Sequence, residues 1–231
     1  MSPFFGDPDR FADRADAGRQ LAARLRHLRG RPLVVLGLPR GGVVVAYEVA
    51  TALDAPLDVI VSRKLGAPQQ PELAIGAIAG GARVLRSDVI DALGISDAEI
   101  DRITAREQAR ADELERRLRG DRGPLDVSGR VAIVVDDGLA TGATALAAVR
   151  AVRRRGPERT VLAVPVAPPE SVEELRREVD EIVVVHTPRD FRAVGIHYDS
   201  FAQVSDDEVE AMLDERATAR RASDQPAGHA R

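Results

Sequence analysis

The segment VAIVVDDGLATGAT, residues 131–144, sets the architecture that the rest of the sequence extends. Its first five residues, Val131 to Val135, form the continuous apolar run that a parallel strand buried on both faces requires. Two acids end this run, and small and hydroxylic residues then lead into a helical pattern that Gly156 closes. The segment therefore predicts a central strand, a loop and the N-terminus of a helix.

The predicted loop has the composition of an anion-binding site. Free backbone N–H groups at the start of a helix, the positive end of the helix dipole and the hydroxyls of Thr141 and Thr144 suit a phosphate dianion. Asp136 and Asp137 would repel a phosphate in the same pocket. They are better suited to accept hydrogen bonds from sugar hydroxyls or to position a divalent cation one sugar ring away. The combination indicates a sugar phosphate.

Further apolar runs of strand length alternate with helical patterns along the chain. This alternation is typical of an α/β fold in which helices cover both faces of a doubly wound, mostly parallel sheet. Ligands of such sheets bind beyond the C-terminal ends of the strands. We therefore expect the loops at residues 39–42, 63–64 and 136–144 to converge on one crevice. The predicted strands are residues 33–38, 57–61, 131–135, 160–166 and 181–186.

The composition fits one sizeable α/β domain with appendages. Of 231 residues, 44% are hydrophobic and 30% are charged, and the longest apolar runs are too short to span a membrane. The N-terminal sequence MSPFFGDPDRF has no basic segment followed by an apolar one, so we expect a cytoplasmic protein. The absence of cysteine excludes disulfides, thiolate catalysis and cysteine-ligated zinc. A net charge of -4 gives no indication of a nucleic-acid partner.

We interpret residues 1–217 as a single domain and the polar residues 218–231 as a disordered tail. Gly80 and Gly81 predict the turn of a hairpin, and the polar, proline-broken segment before that hairpin reads as an exposed loop. Within the domain we distinguish a lid loop with its hairpin, a helical insertion, and a hood with the last helix, at residues 63–86, 87–128 and 187–217.

The insertion contains a long, charged helix, which a capping box of Ser96 and Glu99 opens. Its apolar stripe is thin, and arginine alternates with glutamate along it. This pattern predicts an inserted flap or a dimer contact, because the charges favour solvent over the core. The many acids among its arginines argue against a nucleic-acid role.

The segment at residues 131–144 resembles the 5-phosphoribosyl-1-pyrophosphate (PRPP) signature of type I phosphoribosyltransferases. The resemblance implies that Asp136 and Asp137 hold the ribose hydroxyls and that the loop wraps the 5′-phosphate. One position departs from the pattern: Ala143 stands where glycine is frequent, although alanine keeps its N–H and favours a helix. The implied phosphate-binding residues are Gly138, Leu139, Ala140, Thr141, Gly142, Ala143 and Thr144.

A second loop, Pro39 to Gly42, looks like the pyrophosphate loop of the same family. Gly41 and Gly42 let backbone N–H groups approach an anion, and Arg40 adds a forked, permanently charged donor. The family often holds the residue before the basic one in a cis peptide. We therefore expect a cis bond between Pro39 and Arg40.

The family carries a mobile antiparallel lid at the place of residues 63–86, so the resemblance adds Arg63 and Lys64 to the pyrophosphate-binding residues. A surface hairpin without a catalytic role is the alternative for this segment. Lys64 is the only lysine of the chain, which suggests a position where arginine does not serve. The implied catalytic residues are Asp136, Asp137, Arg40 and Lys64.

The hood of this family holds the acceptor base. The corresponding residues here include several aromatics, which either stack on the base or form the core of the hood. No pattern among them identifies a purine, pyrimidine or orotate acceptor. The candidate base-binding residues are Phe191, Val194, His197 and Tyr198.

The function that the resemblance implies is transfer of the phosphoribosyl group of PRPP to a nitrogen of a base, with Mg2+ as cofactor and pyrophosphate as leaving group. We also expect a homodimer. Any protein ligand to the metal would come from Asp136 and Asp137, since none of the four histidines has metal-ligand spacing to another. One alternative is a regulator that senses PRPP or a nucleotide without turnover. A PRPP synthetase-like kinase would need an ATP site, which the sequence does not show.

Overall fold

A five-stranded sheet forms the centre of the computed structural model, which describes residues 10–224. Its strand order is β2-β1-β6-β7-β8, and every neighbouring pair is parallel. A separate three-stranded antiparallel sheet has the order β3-β4-β5. The strands are β1 (Leu33–Gly37), β2 (Leu57–Val59), β3 (Ser62–Gly66), β4 (Ala74–Ala79), β5 (Ala82–Leu85), β6 (Val131–Val135), β7 (Arg159–Val166) and β8 (Glu181–His186).

Helices cover both faces of the parallel sheet. On one face Val35 and Ile133 pack against α1, α2 and α7, and on the other Val34 and Ala132 pack against α5 and α6. Because alternate residues of each central strand meet a helix layer, the strands are apolar throughout. The doubly wound α/β fold is confirmed. The helices are α1 (Arg14–Arg24), α2 (Gly41–Leu53), α3 (Ser87–Leu93), α4 (Asp97–Arg119), α5 (Ala143–Arg153), α6 (Pro169–Leu175) and α7 (Asp206–Asp224).

The strand order reverses between β1 and β6. The chain leaves β1 toward β2 on one side, whereas β6 leads to β7 on the other. Gly37 at the end of β1 lies opposite Val135 at the end of β6. A crevice forms where two neighbouring strands send their connections in opposite directions, and this is the usual ligand site of such sheets.

The small sheet differs from the sequence prediction at one edge. Ser62 to Gly66, expected to begin an exposed loop, forms β3 and pairs with β4. Leu65 is fully buried there. Because the charged residues Arg63 and Lys64 precede this single apolar residue, the sequence lacks the alternation of apolar and polar residues that predicts a strand. The predicted hairpin is present between β4 and β5, with φ angles of 46° at Gly80 and 76° at Gly81.

Helix α4 lies against the small sheet and against α7. The predicted capping box of Ser96 and Glu99 is present at its start. Ile100 and Ile103 of the predicted stripe are buried, and their partners include Leu65 of β3. The insertion therefore forms a small core with the lid, so α4 is not a flap surrounded by solvent.

A buried acid on α4 escaped the sequence reading. The side chain of Glu107 is 6% exposed, and its carboxylate accepts hydrogen bonds from Arg63 at 2.7 Å, Arg106 at 3.0 Å and Arg110 at 2.9 Å. Burial raises the pKa of Glu107, but hydrogen bonds and charges from these arginines outweigh burial and hold the pKa below its ordinary value. Arg63 ties the edge of the lid to α4 through this acid.

The last helix is longer than predicted. Helix α7 continues to Asp224, so the expected end at Ala217 and the disordered start of the tail are wrong for residues 218–224. Alanine and arginine, which favour helix, dominate the extra turns. Arg216 anchors the helix by donating to the carbonyls of Ala50 and Ala55. Residues 225–231 of the predicted tail lie outside the described residues.

None of the helices within residues 10–224 combines the length and the apolar character needed to cross a membrane.

We predict that Glu107→Gln destabilises the protein by about 2 kcal/mol near neutral pH, because three guanidiniums lose a buried charged acceptor. The pKa of Glu107 is lowered on folding, so its contribution is present above the ordinary value of 4.5 and is lost as the pH falls through the lower folded pKa. The gap between parent and variant should therefore narrow as the pH falls below 4.5. Urea unfolding at neutral and at acidic pH measures it.

The matched control is Glu113→Gln on the same helix. Glu113 is 67% exposed and pairs only with Arg116 among residues 10–224, so its loss should change stability by less than about 0.5 kcal/mol. Equal effects of the two substitutions would show that Glu107 contributes no more than a surface acid.

Candidate functional site

The candidate site lies where the loops after β1 and β6 touch. The Leu38 N–H donates to the Val135 carbonyl at 2.8 Å, which continues the pairing of the two strands by one residue. At Gly42 an added Cβ would lie 2.8 Å from the Cα of Asp136, and at Gly41 it would overlap the Asp137 carboxylate. The loop predicted to bind pyrophosphate therefore needs glycine because it lies directly on the two acids.

The two acids stand at the end of β6 in different environments. The Asp136 carboxylate accepts a hydrogen bond from the Asp137 N–H at 2.8 Å. Burial raises the pKa of Asp136 well above its ordinary value, and the neighbouring Asp137 carboxylate raises it further. The Asp137 carboxylate accepts a hydrogen bond from Arg14 Nε at 2.7 Å. A cation near Asp136 would favour its ionised form.

Arg14, in the first turn of α1, is a site residue that the sequence reading missed. Its side chain is 12% exposed, and its guanidinium carbon lies 3.7 Å from the ring centroid of Phe201. A second nitrogen donates to the Ala202 carbonyl at 2.7 Å. An ion pair between residues 123 positions apart leaves no local signal in the sequence.

Two adjacent residues near its start anchor the phosphate loop. The Leu139 N–H donates to the Val166 carbonyl at 2.9 Å, and the Ser171 hydroxyl donates to the Ala140 carbonyl at 2.6 Å. Gly142 has a φ of 71°, which turns the chain into α5. Thr141 is exposed.

Five successive N–H groups in this loop lack an acceptor. From Ala140 to Thr144, the structure gives none of these donors a hydrogen-bond partner within residues 10–224. Unpaired N–H groups at a helix start are a ready anion site, since the helix dipole adds partial positive charge there. The geometry of the loop can hold a phosphate without any rearrangement of its own hydrogen bonds.

The hood closes over the end of β6 through Tyr198. This residue is 2% exposed, and its hydroxyl donates to the Asp137 carbonyl at 2.5 Å. Burial raises the pKa of Tyr198, and the charge of Asp137 adds to the effect. Tyr198 packs with Phe11, whose N–H also bonds to the His197 carbonyl. Tyr198 is thus part of the hood core.

The other predicted hood residues lie nearer the surface. Phe191 stacks on His197 with ring centroids 5.4 Å apart. Val194 contacts the phosphate loop closely, because a Cβ added at Gly138 would lie 2.5 Å from its side chain. Val194 therefore joins the hood to the loop that follows the acids.

The pyrophosphate loop has the backbone that the sequence predicted, with a cis peptide bond between Pro39 and Arg40. The Arg40 side chain is 53% exposed and pairs with Asp206 at the start of α7, with Nε and Oδ1 2.5 Å apart. Arg117 pairs with the same acid at 3.1 Å. To bind a ligand in the crevice, the Arg40 guanidinium would have to leave Asp206.

The structure separates Arg63 from Lys64. Arg63 lies opposite Ile78 on the face of the small sheet that meets α4, and it pairs with Glu107 there. Lys64 lies opposite Ala77, which packs into the cluster of α5. Its ammonium donates to the Glu72 carbonyl at 3.1 Å. Because successive strand residues alternate between faces, the two cations do not converge on one crevice as expected.

We predict that Gly41→Ala destabilises the protein by about 1–3 kcal/mol, because the new methyl group would overlap Asp137 and lie 2.6 Å from Arg14 Nε. Helix propensity alone would favour alanine by about 1 kcal/mol at this first residue of α2. A loss of stability would therefore have to come from the overlap with Asp137. Thermal unfolding measures the effect.

Gly123→Ala is the control, since an added Cβ there has no atom within 4 Å among the described residues. It should shift stability by no more than about 0.5 kcal/mol. A Gly41→Ala variant as stable as the parent would mean that Asp137 and Arg14 move apart without cost.

Comparison with known proteins agrees with this geometry. The phosphoribosyl transferase domain family matches residues 9–200. A protein of Mycobacterium tuberculosis (strain ATCC 25618 / H37Rv), whose name assigns it provisionally to the phosphoribosyl transferases, is 51% identical over 205 residues. The match covers 88% of this chain and 46% of the relative, so the chain spans about half the length of the curated relatives it matches.

Two further similarities extend the comparison. The orotate phosphoribosyltransferase of Streptomyces coelicolor is 32% identical over 90 residues, which cover 39% of this chain and 47% of that enzyme. The crystal structure of the protein TT1426 from Thermus thermophilus is 45% identical, with a TM-score of 0.76, and the match covers 89% of this chain and 98% of that chain. By the family match and by the fold that surrounds its two acids and its phosphate loop, the chain belongs to the phosphoribosyl transferase family.

Proposed function

We propose that the protein transfers the phosphoribosyl group of PRPP to a nitrogen of an acceptor base and releases pyrophosphate. The observation that carries this proposal is the run of five N–H groups, Ala140 to Thr144, that have no partner within residues 10–224 and lead into α5 shortly after the two acids at the end of β6. A phosphate binder beside sugar-binding carboxylates fits a sugar phosphate. Family membership supports the reaction class.

In this proposal the 5′-phosphate and the ribose of PRPP each contact a different part of the segment after β6. The residues from Gly138 to Thr144 would bind the 5′-phosphate through backbone N–H groups and the hydroxyls of Thr141 and Thr144. Asp136 and Asp137 would accept hydrogen bonds from the ribose hydroxyls. Asp137 already accepts a hydrogen bond from Arg14 and, as a carboxylate, can accept another from the sugar. Arg14 would thus help to orient the carboxylate.

The residues at the end of β6 fit Mg2+ as a cofactor shared with the substrate. Two adjacent carboxylates, Asp136 and Asp137, supply oxygen ligands of the kind that Mg2+ prefers, and substrate phosphates usually complete such sites. Within residues 10–224 no group of three or more His, Asp or Glu side chains could hold a metal by itself. When bound, Mg2+ would offset the charge of the diphosphate and of the leaving pyrophosphate.

The departing pyrophosphate would meet the loop from Pro39 to Gly42. Its backbone N–H groups and the Arg40 guanidinium would bind the charge that develops as the C1–oxygen bond breaks. Lys64 would add a mobile point charge from the lid. The site has no obvious nucleophile among the described residues, so its contribution would be orientation, charge stabilisation and exclusion of water. Arg63 would reach pyrophosphate only by leaving Glu107.

The base site is the least defined part of the proposal. Phe191, Val194 and His197 remain the hood residues assigned to the acceptor, whereas the burial of Tyr198 supports a structural role for it. We assign no base. A homodimer and a cytoplasmic location are further parts of the proposal.

The deciding experiment measures pyrophosphate release from PRPP and Mg2+ with a panel of purine and pyrimidine bases and orotate. We expect release with at least one base. Asp136→Asn and Asp137→Asn should each lower kcat/KM at least about tenfold, or about 1.4 kcal/mol. The melting temperature should stay near that of the parent for Asp136→Asn, whereas Asp137→Asn should also lower it, because Arg14 loses its partner in a largely buried ion pair. Asp101→Asn, at a 69% exposed acid on α4, is the control and should keep full activity.

Release that the two site variants leave unchanged would refute the assignment of the acids. Absence of release with every base, together with tight PRPP binding, would replace the enzyme with a PRPP-sensing protein on the same fold.

We further predict that Lys64→Arg lowers turnover by about tenfold with little change in melting temperature. A compact ammonium on a flexible stem can follow the lid, whereas a planar guanidinium needs a fixed fork geometry. Steady-state kinetics of pyrophosphate release measures the change. Arg83→Lys on β5 of the same sheet is the reciprocal control, and it should keep the parental rate. Full activity of Lys64→Arg would show that catalysis does not require a lysine at this position.

A further inference from the structure

A groove of about 420 Å3 separates α4 from β3 and the loop that follows β3. We call it the α4 groove. Its helix side carries Arg102, Arg106 and Arg110, which are four residues apart and therefore lie on one face of α4. Arg63 of β3 lines the opposite side. Four guanidiniums thus surround one opening outside the candidate active site.

The positive charge of this groove exceeds what its acids balance. Glu107 at its base is the shared acceptor for three arginines, at distances of 2.7 to 3.0 Å. The other acid lining the groove, Glu99, accepts its hydrogen bonds from the backbone and hydroxyl of Ser96. Arg102 forms no hydrogen bond or ion pair within the described residues 10–224, although its charge adds to the hydrogen bonds from Ser96 in lowering the pKa of Glu99, three residues earlier on α4. Four arginines line the groove with only two carboxylates.

The arginines keep donors available for a ligand. Arg63 and Arg106 each reach Glu107 through Nε, and Arg110 reaches it through one terminal nitrogen. Terminal nitrogens of all three side chains have no acceptor in the part of the chain that the structure describes. Guanidinium forks of this kind match phosphate oxygens in bidentate geometry. Glu107 fixes the forks in place, so a ligand would order few new torsions.

The remainder of the lining is mostly apolar, with Ala67, Pro68, Pro71 and Ile103. A cationic side facing an apolar side suits a small molecule that carries a phosphate on an organic body. The volume lies within the range of about 300–1,000 Å3 that small-molecule sites occupy.

We propose that the α4 groove is a second anion site, which binds a phosphate-bearing small molecule. It is separate from the crevice at the ends of β1 and β6. Ile78 and Arg63 face α4, whereas Ala77 and Ala79 on the same small sheet pack against α5, the helix that the phosphate loop opens. A ligand in the groove would hold the lid sheet against α4. The proposal does not depend on the reaction proposed above.

A purely structural role for the arginines is the competing explanation. Glu107 accepts hydrogen bonds from Arg63, Arg106 and Arg110, so that role accounts for these three arginines. It does not account for Arg102, which is exposed, forms no ion pair within residues 10–224 and adds to the positive charge beside Arg106.

The test is isothermal titration of the full chain with inorganic pyrophosphate in the absence of added metal. Arg102→Gln should weaken one class of sites about tenfold, and Arg102→Glu should abolish it. The control Arg116→Gln lies on the same helix outside the groove, at a 71% exposed side chain, and should bind as the parent does. Because Arg102 forms no ion pair among the described residues, both substitutions at this residue should leave the melting temperature unchanged.

Arg40→Gln serves as the reference for the crevice, and it should leave the groove class intact. The proposal is overturned if Arg102→Glu and Arg116→Gln bind pyrophosphate equally well. It is also overturned if Arg40→Gln alone removes all binding, because the anion would then occupy only the crevice. Turnover is not a readout in this experiment, so its outcome is independent of the reaction assigned to the protein.

Discussion

The close contact between Gly41 and Gly42 and the two acids after β6 is the constraint on which the rest of the structure depends. The contact exists because β1 and β6 are neighbours that end at the same level, with Gly37 opposite Val135. Both strands are buried on both faces, so neither can shift without exposing its apolar run. The sheet therefore fixes side by side the two loops that we propose to bind the phosphate and the pyrophosphate.

Charges in the crevice are already compensated within the chain. Arg14 pairs with Asp137, and Arg40 pairs with Asp206. A ligand phosphate could take Arg40 from Asp206, whereas a sugar hydroxyl could bond to Asp137 beside Arg14. Because the exchange at Arg40 costs an existing interaction, the net gain on binding would depend on how well the ligand replaces Asp206.

The two faces of the small sheet pack against different helices. One face packs its alanines on α5, next to the phosphate loop, and the other packs its larger residues on α4. Because side chains alternate along β3, the neighbouring residues Arg63 and Lys64 lie on opposite faces of the small sheet. Glu107 then fixes the α4 side by gathering three guanidiniums around one buried carboxylate. The lid is thereby held against α4 on one face and packed against α5 on the other.

Local patterns in the sequence determined the sheet, the hairpin, the helix caps and the position of the phosphate loop, because strand periodicity, turn residues and helix starts depend on near neighbours. Only the tertiary structure decided that Ser62 to Gly66 is a strand, that Glu107 is buried, and that Tyr198 belongs to the hood core. It also decided that Arg14 meets Asp137, 123 residues away. Such contacts join residues that are far apart in the sequence and meet only in the folded protein. A local sequence pattern therefore carries no signal of them.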